Sequence, residues 1–432
     1  MKLLIAIPAL NEEDSIERII ERSLTAAAHI EANSPVTQVE VTVVSDGSTD
    51  RTVELASRYI PRIKLIVFEK NRGYGAAIKE AWSKSDAELL GFIDADGTCD
   101  PKFFAPLCQA LLERGAMVAL GSRMHPGSEM PPLRRVGNRV FAALLTVFSS
   151  RRVRDSASGM RVVRRDCLDR LFPLPDGLHF TPAMSARCLL STDISICEVD
   201  MPYHERAGRS KLSVVKDGLR FLRVIVTTAL LYRPSRLLGI LGLAFFLAAA
   251  ILMIRPILYY LNTRTVAEWM IYRFVVSNLL GTASALLLCM GHLSSRMVLL
   301  SLIGPRPKRL YRNSLAVLIE SRAFWLIPAV LVLAGGALVY PSFRQLVTTG
   351  ATFEHWSRFI VMSFLVGLAI ILVVTRGVSF VLQLLEDRLI YLAGIAVPPW
   401  SPSGAHGRGL AYLATNVAPA EKPAAVHGPI KG

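Results

Sequence analysis

The chain is poor in the residues that build disulfide frameworks or metal clusters. Its 432 residues hold six cysteines, Cys99, Cys108, Cys167, Cys188, Cys197 and Cys289, with no Cys-x-x-Cys pair and no metal-ligand spacing. That excludes a zinc ribbon and predicts reduced, mostly buried thiols. The eight histidines form no cluster, and His179 and His204 read as packed or surface side chains rather than ligands. Acids are outnumbered, 34 Asp and Glu against 49 Lys and Arg, giving a formal charge of +15. No secretory leader is expected, because the apolar run Leu3 to Leu10 is short and ends in Asn11-Glu12-Glu13-Asp14. Apolar residues, by contrast, make up 52% of the chain, with a mean hydropathy of +0.41. Basic and hydrophobic together, the composition points to a membrane and not to nucleic acid as the partner.

The stretch that organises the chain is Phe92-Ile93-Asp94-Ala95-Asp96-Gly97. The apolar run Leu89-Leu90-Gly91-Phe92-Ile93 reads as a buried strand leading into two carboxylates spaced i, i+2. Open α/β sheets place ligands at such strand ends. Paired carboxylates there suit Mg²⁺ or Mn²⁺, a hard cation that keeps waters and shares oxygens with a substrate phosphate. The competing reading is a strand-to-turn junction whose Asp side chains bond the turn backbone.

Before it, Lys2 to Pro8 reads as a first strand, followed by a helix starting at Asn11-Glu12-Glu13 and running through Ile16, Ile19, Ile20 and Leu24. A second strand, Val39 to Val44, ends in Ser45-Asp46-Gly47-Ser48-Thr49-Asp50, where Thr49 or Asp50 can cap the next helix. A third, Ile63 to Phe68, leads into Asn71-Arg72-Gly73-Tyr74-Gly75-Ala76-Ala77, whose small residues permit close backbone approach to a ligand. Alternating strands and helices predict a mostly parallel, doubly wound sheet. The loops at 8–12, 45–50 and 71–77 then share one sheet edge with the Asp-x-Asp.

Pro8-Ala9-Leu10-Asn11-Glu12-Glu13, Asp46-Gly47-Ser48-Thr49-Asp50, Asn71-Arg72-Gly73-Tyr74-Gly75 and Asp94-Ala95-Asp96-Gly97 occur in the order seen in family 2 glycosyltransferases of the GT-A fold. Within that family the chain resembles the dolichyl-phosphate mannose synthase and polyprenyl-phosphate glycosyltransferase group. The match continues through Gly121-Ser122-Arg123, Asp155 to Arg161 and Arg206 to Leu212, over roughly the first 235 residues. Ser45 stands where the family often has Asp, and Thr98 where the mannose synthases often have Gln. The resemblance implies a nucleotide-sugar site at Pro8, Ala9, Asn11, Glu12, Asp46, Gly73, Gly75 and Asp94, with metal on Asp94 and Asp96. Asp155 joins Asp94 and Asp96 in the catalytic set. Its role stays open between orienting an acceptor-binding Arg and pairing structurally with Arg161.

Between 123 and 165 the chain carries Arg123, Arg134, Arg135, Arg139, Arg151, Arg152, Arg154, Arg161, Arg164 and Arg165 around an apolar segment, Val140 to Phe148. Arg flanking an apolar helix describes an interfacial helix on an anionic leaflet. Arg151, Arg152 and Arg154 read as solvated or lipid-facing. The resemblance assigns a lipid phosphate to Arg123, Arg134 and Arg135, with Arg206, Ser210 and Lys211 as a second clamp.

Lys216 to Arg233 reads as an amphipathic juxtamembrane helix, followed by apolar runs at about 237–254, 274–293, 324–340 and 359–375. Each approaches the ~20 residues that span a bilayer, the third falling short. The second connection, with Arg296, Arg306, Lys308, Arg309, Arg312 and Arg322, is more basic than the third, with Arg344 and Arg358 against Glu354. The positive-inside rule then puts the N-terminal domain and both termini in the cytoplasm, in a bacterial inner membrane. The expected organisation is a GT-A (Rossmann-like) α/β domain over 1–213, an interfacial helix over 214–235, a transmembrane domain of four spans over 236–396 and a disordered tail over 397–432.

The function that follows is an inverting, metal-dependent transfer of one sugar from a nucleotide-diphosphate sugar to polyprenyl phosphate. A phosphate monoester, with its second pKa near ~6, is already an anionic nucleophile at neutral pH. No strong base is needed, and none is evident. A processive polysaccharide synthase is the nearest rival, but its Gln-x-x-Arg-Trp motif is absent from this sequence. A transporter or flippase with a degenerate enzyme domain would need ionisable residues inside spans that are nearly free of them, Arg376 sitting at an end. Sugar, base, polyprenol and oligomeric state, a homo-oligomer included, stay open.

Overall fold

The computed structural model describes residues 1–125, 127–149, 151–191, 193–204, 214–302, 318–319, 321–351 and 355–392. The chain forms two compact units, Met1–Leu241 and Gly242–Gly432.

The first unit is a seven-stranded sheet with helices on both faces. Its strands are β1 (Lys2–Ala9), β2 (Gln38–Ser45), β3 (Lys64–Val67), β4 (Leu89–Phe92), β5 (Val118–Ser122), β6 (Arg161–Arg164) and β7 (Ile196–Asp200). Their order is β3-β2-β1-β4-β6-β5-β7. The helices are α1 (Ile16–Ala32), α2 (Thr52–Ser57), α3 (Tyr74–Ser83), α4 (Phe104–Glu113), α5 (Pro132–Phe148), α6 (Leu168–Leu171), α7 (Phe180–Leu190) and α8 (Val214–Tyr232). β1 is central, and its side chains alternate between the two layers as the two-residue strand period requires. Leu3, Ile5 and Ile7 pack with Ile16 and Ile19 of α1, while Leu4 and Ala6 pack with Phe92, Trp82 and Phe180 on the other face.

The sheet is mostly parallel, as expected, with one exception, β6, which runs antiparallel to both β4 and β5. Its sequence, Arg-Val-Val-Arg, reads as a basic patch, yet Arg161 is wholly buried. The first helix starts at Ile16 and not at Asn11, because Asn11 takes a left-handed conformation, φ 49°. A short amide side chain tolerates that region.

α5 and α8 pack together, with Phe141 edge-on to Phe221 at 5.7 Å, and bury Leu145, Phe148, Ile225 and Ala229. Their outer faces stay apolar and exposed: Leu133, Val136, Val140 and Val147 on α5, and Leu219, Leu222 and Leu230 on α8. The segment 140–148 is therefore the second half of a longer amphipathic helix.

The second unit contains α10 (Ile271–Leu302), α11 (Leu326–Thr349) and α12 (Trp356–Leu392), and takes over α9 (Pro234–Thr263) from Gly242 onward. Four helical segments, Pro234–Thr263, Glu268–Ser301, Arg322–Thr349 and Trp356–Tyr391, are long and apolar enough to cross a membrane. At ~1.5 Å per residue a 30-residue helix reaches ~45 Å, more than the ~30 Å hydrocarbon core. The third segment is not short, as its apolar run suggested, because the helix continues through Pro341. Membrane helices tolerate an internal proline when neighbours satisfy the freed backbone group. The helices also outrun the apolar windows at their charged ends. Arg296 is thus inside α10 and not in a loop, where it pairs with Glu386 of α12 at 2.9 Å and bonds Ser379 at 3.3 Å. Arg344 and Arg358 are likewise helical, and Arg376 lies well inside α12 rather than at its end. Small residues let the helices meet: Ser284 donates to the Gly242 carbonyl at 2.8 Å and Ser277 to that of Ala249 at 3.3 Å.

Candidate active site

The C-terminal ends of β1 to β4 bring the four loops together. Past β1, Asn11 accepts from the Thr49 amide at 2.8 Å, while its own amide donates to Ser48 at 3.1 Å. The Glu12 amide donates to Thr52 at 2.9 Å and that of Glu13 to Asp50 at 3.1 Å. Pro8 and Ala9, at the buried end of β1, are joined to β2, the Asp46 amide donating to the Ala9 carbonyl at 2.8 Å. Asp46 in turn holds the third loop, accepting from the amides of Arg72 at 2.7 Å and Gly73 at 3.0 Å. Burial pushes its carboxyl above the ordinary range, although those two amides and the Arg72 charge oppose this.

Gly73 and Gly75 admit a different neighbour from the one their pattern suggests. Gly73 has φ 108°, and a Cβ on either glycine would overlap the backbone of Pro175 or Asp176. The Asp176 carbonyl accepts from the amides of Gly75 at 2.6 Å and Ala76 at 3.1 Å, capping α3. The close approach made at these glycines is therefore to chain at 175–177.

Asp94 and Asp96 lie just beyond β4, where the Ile93 amide extends the ladder to Ala6 at 3.0 Å. Each carboxylate is oriented by a hydroxyl. Tyr74 donates to Asp94 Oδ1 at 2.6 Å, and Thr98 donates to Asp96 Oδ1 at 2.7 Å. Tyr74 is itself fixed, edge-on to Phe92 at 6.4 Å and Phe180 at 6.5 Å. Burial and the nearby Asp94 charge keep its phenol protonated, well above the usual tyrosine range. Gly159 clears the space, since a Cβ there would overlap the Asp94 carboxylate. Among the described residues no three His, Cys, Asp or Glu side chains gather to hold a metal. A two-carboxylate, all-oxygen donor set nonetheless fits Mg²⁺ or Mn²⁺, which bind through one or two carboxylates plus waters and substrate phosphate. It does not fit zinc, whose sites need three or four protein ligands.

Asp155 is fully buried and forms a fork with Arg123, at 2.7 Å to Nε and 2.8 Å to Nη2, while the Arg123 amide donates at 3.0 Å. Of the two roles left open, the geometry matches orientation of Arg123. Arg161 instead donates to the carbonyls of Ser158 at 3.1 Å and Ser156 at 3.0 Å, and burial lowers its pKa to about 10. Burial would raise the Asp155 pKa, but the Arg123 guanidinium and its hydrogen bonds hold it below the ordinary carboxylate range. The 154–156 loop is further pinned by Asn138 of α5, which accepts from Ser156 at 3.0 Å and donates to the Arg154 carbonyl at 3.2 Å.

Tyr203 joins the two halves of the site. Arg123 lies 5.5 Å from its ring centroid, and the adjacent His204 amide donates to the Thr98 carbonyl at 3.0 Å. Burial raises the Tyr203 phenol, Arg123 opposes this, Asp96 adds to it, and Arg134 opposes it. Arg135 donates to the Ser128 carbonyl at 2.6 Å. Arg206, Ser210 and Lys211 lie outside the described residues. Arg151 is half-buried and not free in solvent, donating to the carbonyls of Ile194 and Ser191 at 2.5 and 2.7 Å, whereas Arg154 stays exposed and pairs with Asp200 at 2.6 Å.

The residues the motifs did not single out are Tyr74, Gly159 and Tyr203. Tyr74 and Gly159 sit inside motifs that were read for other residues. Tyr203 carries no local signal beyond its closeness to Arg206 in sequence.

The family model described as glycosyl transferase family 2 matches residues 4–172. A low-salt glycan biosynthesis hexosyltransferase of Haloferax volcanii is 32% identical over 232 residues, 52% of this chain and 54% of that protein. A dolichyl-phosphate hexose transferase of the same organism is 34% identical over 194 residues, 44% of this chain and 80% of that protein. An undecaprenyl-phosphate 4-deoxy-4-formamido-L-arabinose transferase of Proteus mirabilis is 26% identical over 267 residues, 60% and 78% of the two chains. The chain thus spans about half the length of the first relative and about four-fifths of the second. With its sheet order, its four loops on one edge and its Asp-x-Asp at the end of β4, the chain belongs to family 2 of the glycosyltransferases, with the GT-A fold.

Proposed function

We propose that the protein moves a single sugar, with inversion, from a nucleotide-diphosphate sugar to a polyprenyl phosphate, at the cytoplasmic face of a membrane. The observation that carries this reading is the 203–204 segment, which packs Tyr203 against Arg123 and bonds the Thr98 carbonyl two residues past Asp96, so that the Arg123–Asp155 fork is tied to the Asp-x-Asp edge. Such a site can bring two phosphate groups together: a donor diphosphate beside Asp94 and Asp96, and an acceptor phosphate beside Arg123 and Arg134. Two of the three relatives named above are called transferases of dolichyl or undecaprenyl phosphate, which supports that acceptor class.

The donor's nucleoside is placed along Pro8, Ala9, Asn11, Glu12 and Asp46, on loops that Gly73 and Gly75 let close. Asp94 and Asp96 hold a divalent cation, whose chemistry there is neutralisation of the departing diphosphate. Asp155 locks the Arg123 fork so that its charge meets the acceptor phosphate without first reorganising. Arg134 and Arg135, at the start of α5, continue that charge towards the helix whose exposed apolar stripe suits the leaflet holding the prenyl chain. The acceptor arrives ionised, so no side chain has to take its proton.

The test is a panel of radiolabelled nucleotide-sugars offered with polyprenyl phosphate to the full-length protein, with the lipid product identified. One donor should yield a sugar-phosphate lipid, and EDTA or Asp96→Asn should abolish nearly all transfer. Full activity in EDTA would remove the metal from the reading. A polymeric product would replace the single transfer with processive synthesis.

A further inference from the structure

β6 breaks the parallel order of the sheet, and it stands between the two strands that carry the candidate chemistry. Arg161, its first residue, sits opposite Phe92 of β4 and Leu120 of β5. Asp94 follows Phe92 by two residues, and Arg123 follows Leu120 by three. The Arg161 side chain is fully buried and reaches back to the turn that precedes it. Nε donates to the Ser158 carbonyl at 3.1 Å and Nη2 to that of Ser156 at 3.0 Å.

That turn serves both halves of the site. At one end Asp155 forks Arg123. At the other, Gly159 lies against Asp94, where an added Cβ would overlap the carboxylate. Between them the Ser158 hydroxyl donates to the Gly121 carbonyl at 2.6 Å, and the Ser185 hydroxyl to the Ser156 carbonyl at 2.7 Å.

Stability is a poor reason for a cation at this position. A guanidinium carries five N–H donors, and burying a charge is costly unless it is paired and bonded. Asp155 gives its fork to Arg123, and Arg161 Nη1 has no hydrogen-bond partner among the described residues. Burial outweighs the neighbouring charges and lowers the Arg161 pKa to about 10. The group therefore stays protonated at neutral pH, at a cost to folding that fades only as pH rises through the folded value.

We infer that Arg161 is a positioning residue: through the Ser156 and Ser158 carbonyls it sets the turn that holds Asp155 on Arg123 and Gly159 against Asp94. It thereby fixes the acceptor and donor halves of the site relative to one another. The inference rests on the proposed transfer for what those two halves bind.

The test uses the full-length protein in detergent. Arg161→Met keeps an unbranched side chain and removes the charge and both hydrogen bonds. Its unfolding temperature should match or exceed that of wild type. The half-saturating concentrations of polyprenyl phosphate and of Mg²⁺ should both rise about fivefold or more, because small displacements of positioned groups are costly. Mere loss of folded enzyme would lower kcat and leave both concentrations where they are. Arg161→Lys keeps the charge and should recover part of both. Val163→Ala trims a buried side chain two residues along the same strand, so it should lower the unfolding temperature without moving either concentration. If Arg161→Met unfolded at a lower temperature than Val163→Ala, Arg161 would belong to the core and the inference would be overturned. Unchanged half-saturating concentrations in Arg161→Met, or a rise in only one of them, would overturn it too. A wild type that transferred no sugar to any lipid phosphate would count against the proposed function instead. The unfolding comparison needs no substrate and still decides whether Arg161 is held for stability.

Discussion

Single side chains at the site act through others. Tyr74 donates to Asp94 from a ring held by two aromatic neighbours, so Tyr74→Phe should remove one hydrogen bond and little else. A bond to a charged group is worth roughly 1.5–3 kcal/mol, which predicts at least about a tenfold fall in kcat and a loss of unfolding stability no larger than that. A larger loss of stability than of rate would reassign the tyrosine to packing. Asp155 carries more, because removing one partner of a buried ion pair leaves the other unpaired and costs about 3–5 kcal/mol. Asp155→Asn should therefore both lower unfolding stability by that order and weaken acceptor use. Its folded pKa is depressed, so its contribution is present above the ordinary carboxylate value of ~3.9 and fades as pH falls through the folded one. Stability measured from pH 6 downwards should fall more steeply in wild type than in Asp155→Asn, and parallel curves would show that the pair adds nothing.

Helices α5 and α8 are apolar on two faces, one buried and one exposed. The inner faces supply Leu145, Phe148, Ile225 and Ala229 to the core, and the outer faces leave a valine and leucine stripe uncovered. Placing carboxylates on that stripe costs nothing in the core but opposes burial in a leaflet. Val136→Asp with Val140→Asp should cut kcat/KM for a long-chain acceptor about tenfold while leaving nucleotide binding intact, a split that steady-state kinetics and donor titration read separately. Equal activity on a long-chain acceptor would show that α5 does not touch the leaflet. The glycines of the 71–77 loop teach the opposite lesson about elements. Their spacing announced close approach, and close approach is what they make, but to chain at 175–177 far along the sequence.

Across the whole molecule, the expected four crossings place the end of α9 opposite its start at Pro234. Five of the six cysteines are buried, so Cys289→Ser leaves a quiet background for labelling. Asn262→Cys, exposed in the last turn of α9, should react with an impermeant maleimide in intact cells. Protection of that position until the membrane is permeabilised would invert the proposed orientation.

By itself the sequence determined the class of the protein. Ordered strand-end motifs identify the α/β fold and its ligand edge because a two-residue period and a turn are local properties. Long apolar runs identify the spans because a bilayer demands length and little else. Only the tertiary structure decided what depends on neighbours distant in the chain. It decided that Asp155 serves Arg123 and not Arg161, that Arg161 is buried in an antiparallel strand, and that Arg151 bonds the carbonyls of Ile194 and Ser191. A guanidinium looks alike in sequence whether it faces water, phosphate or a carbonyl. Its role is set by which acceptor the fold brings within three ångströms or so, the range in which a hydrogen bond forms.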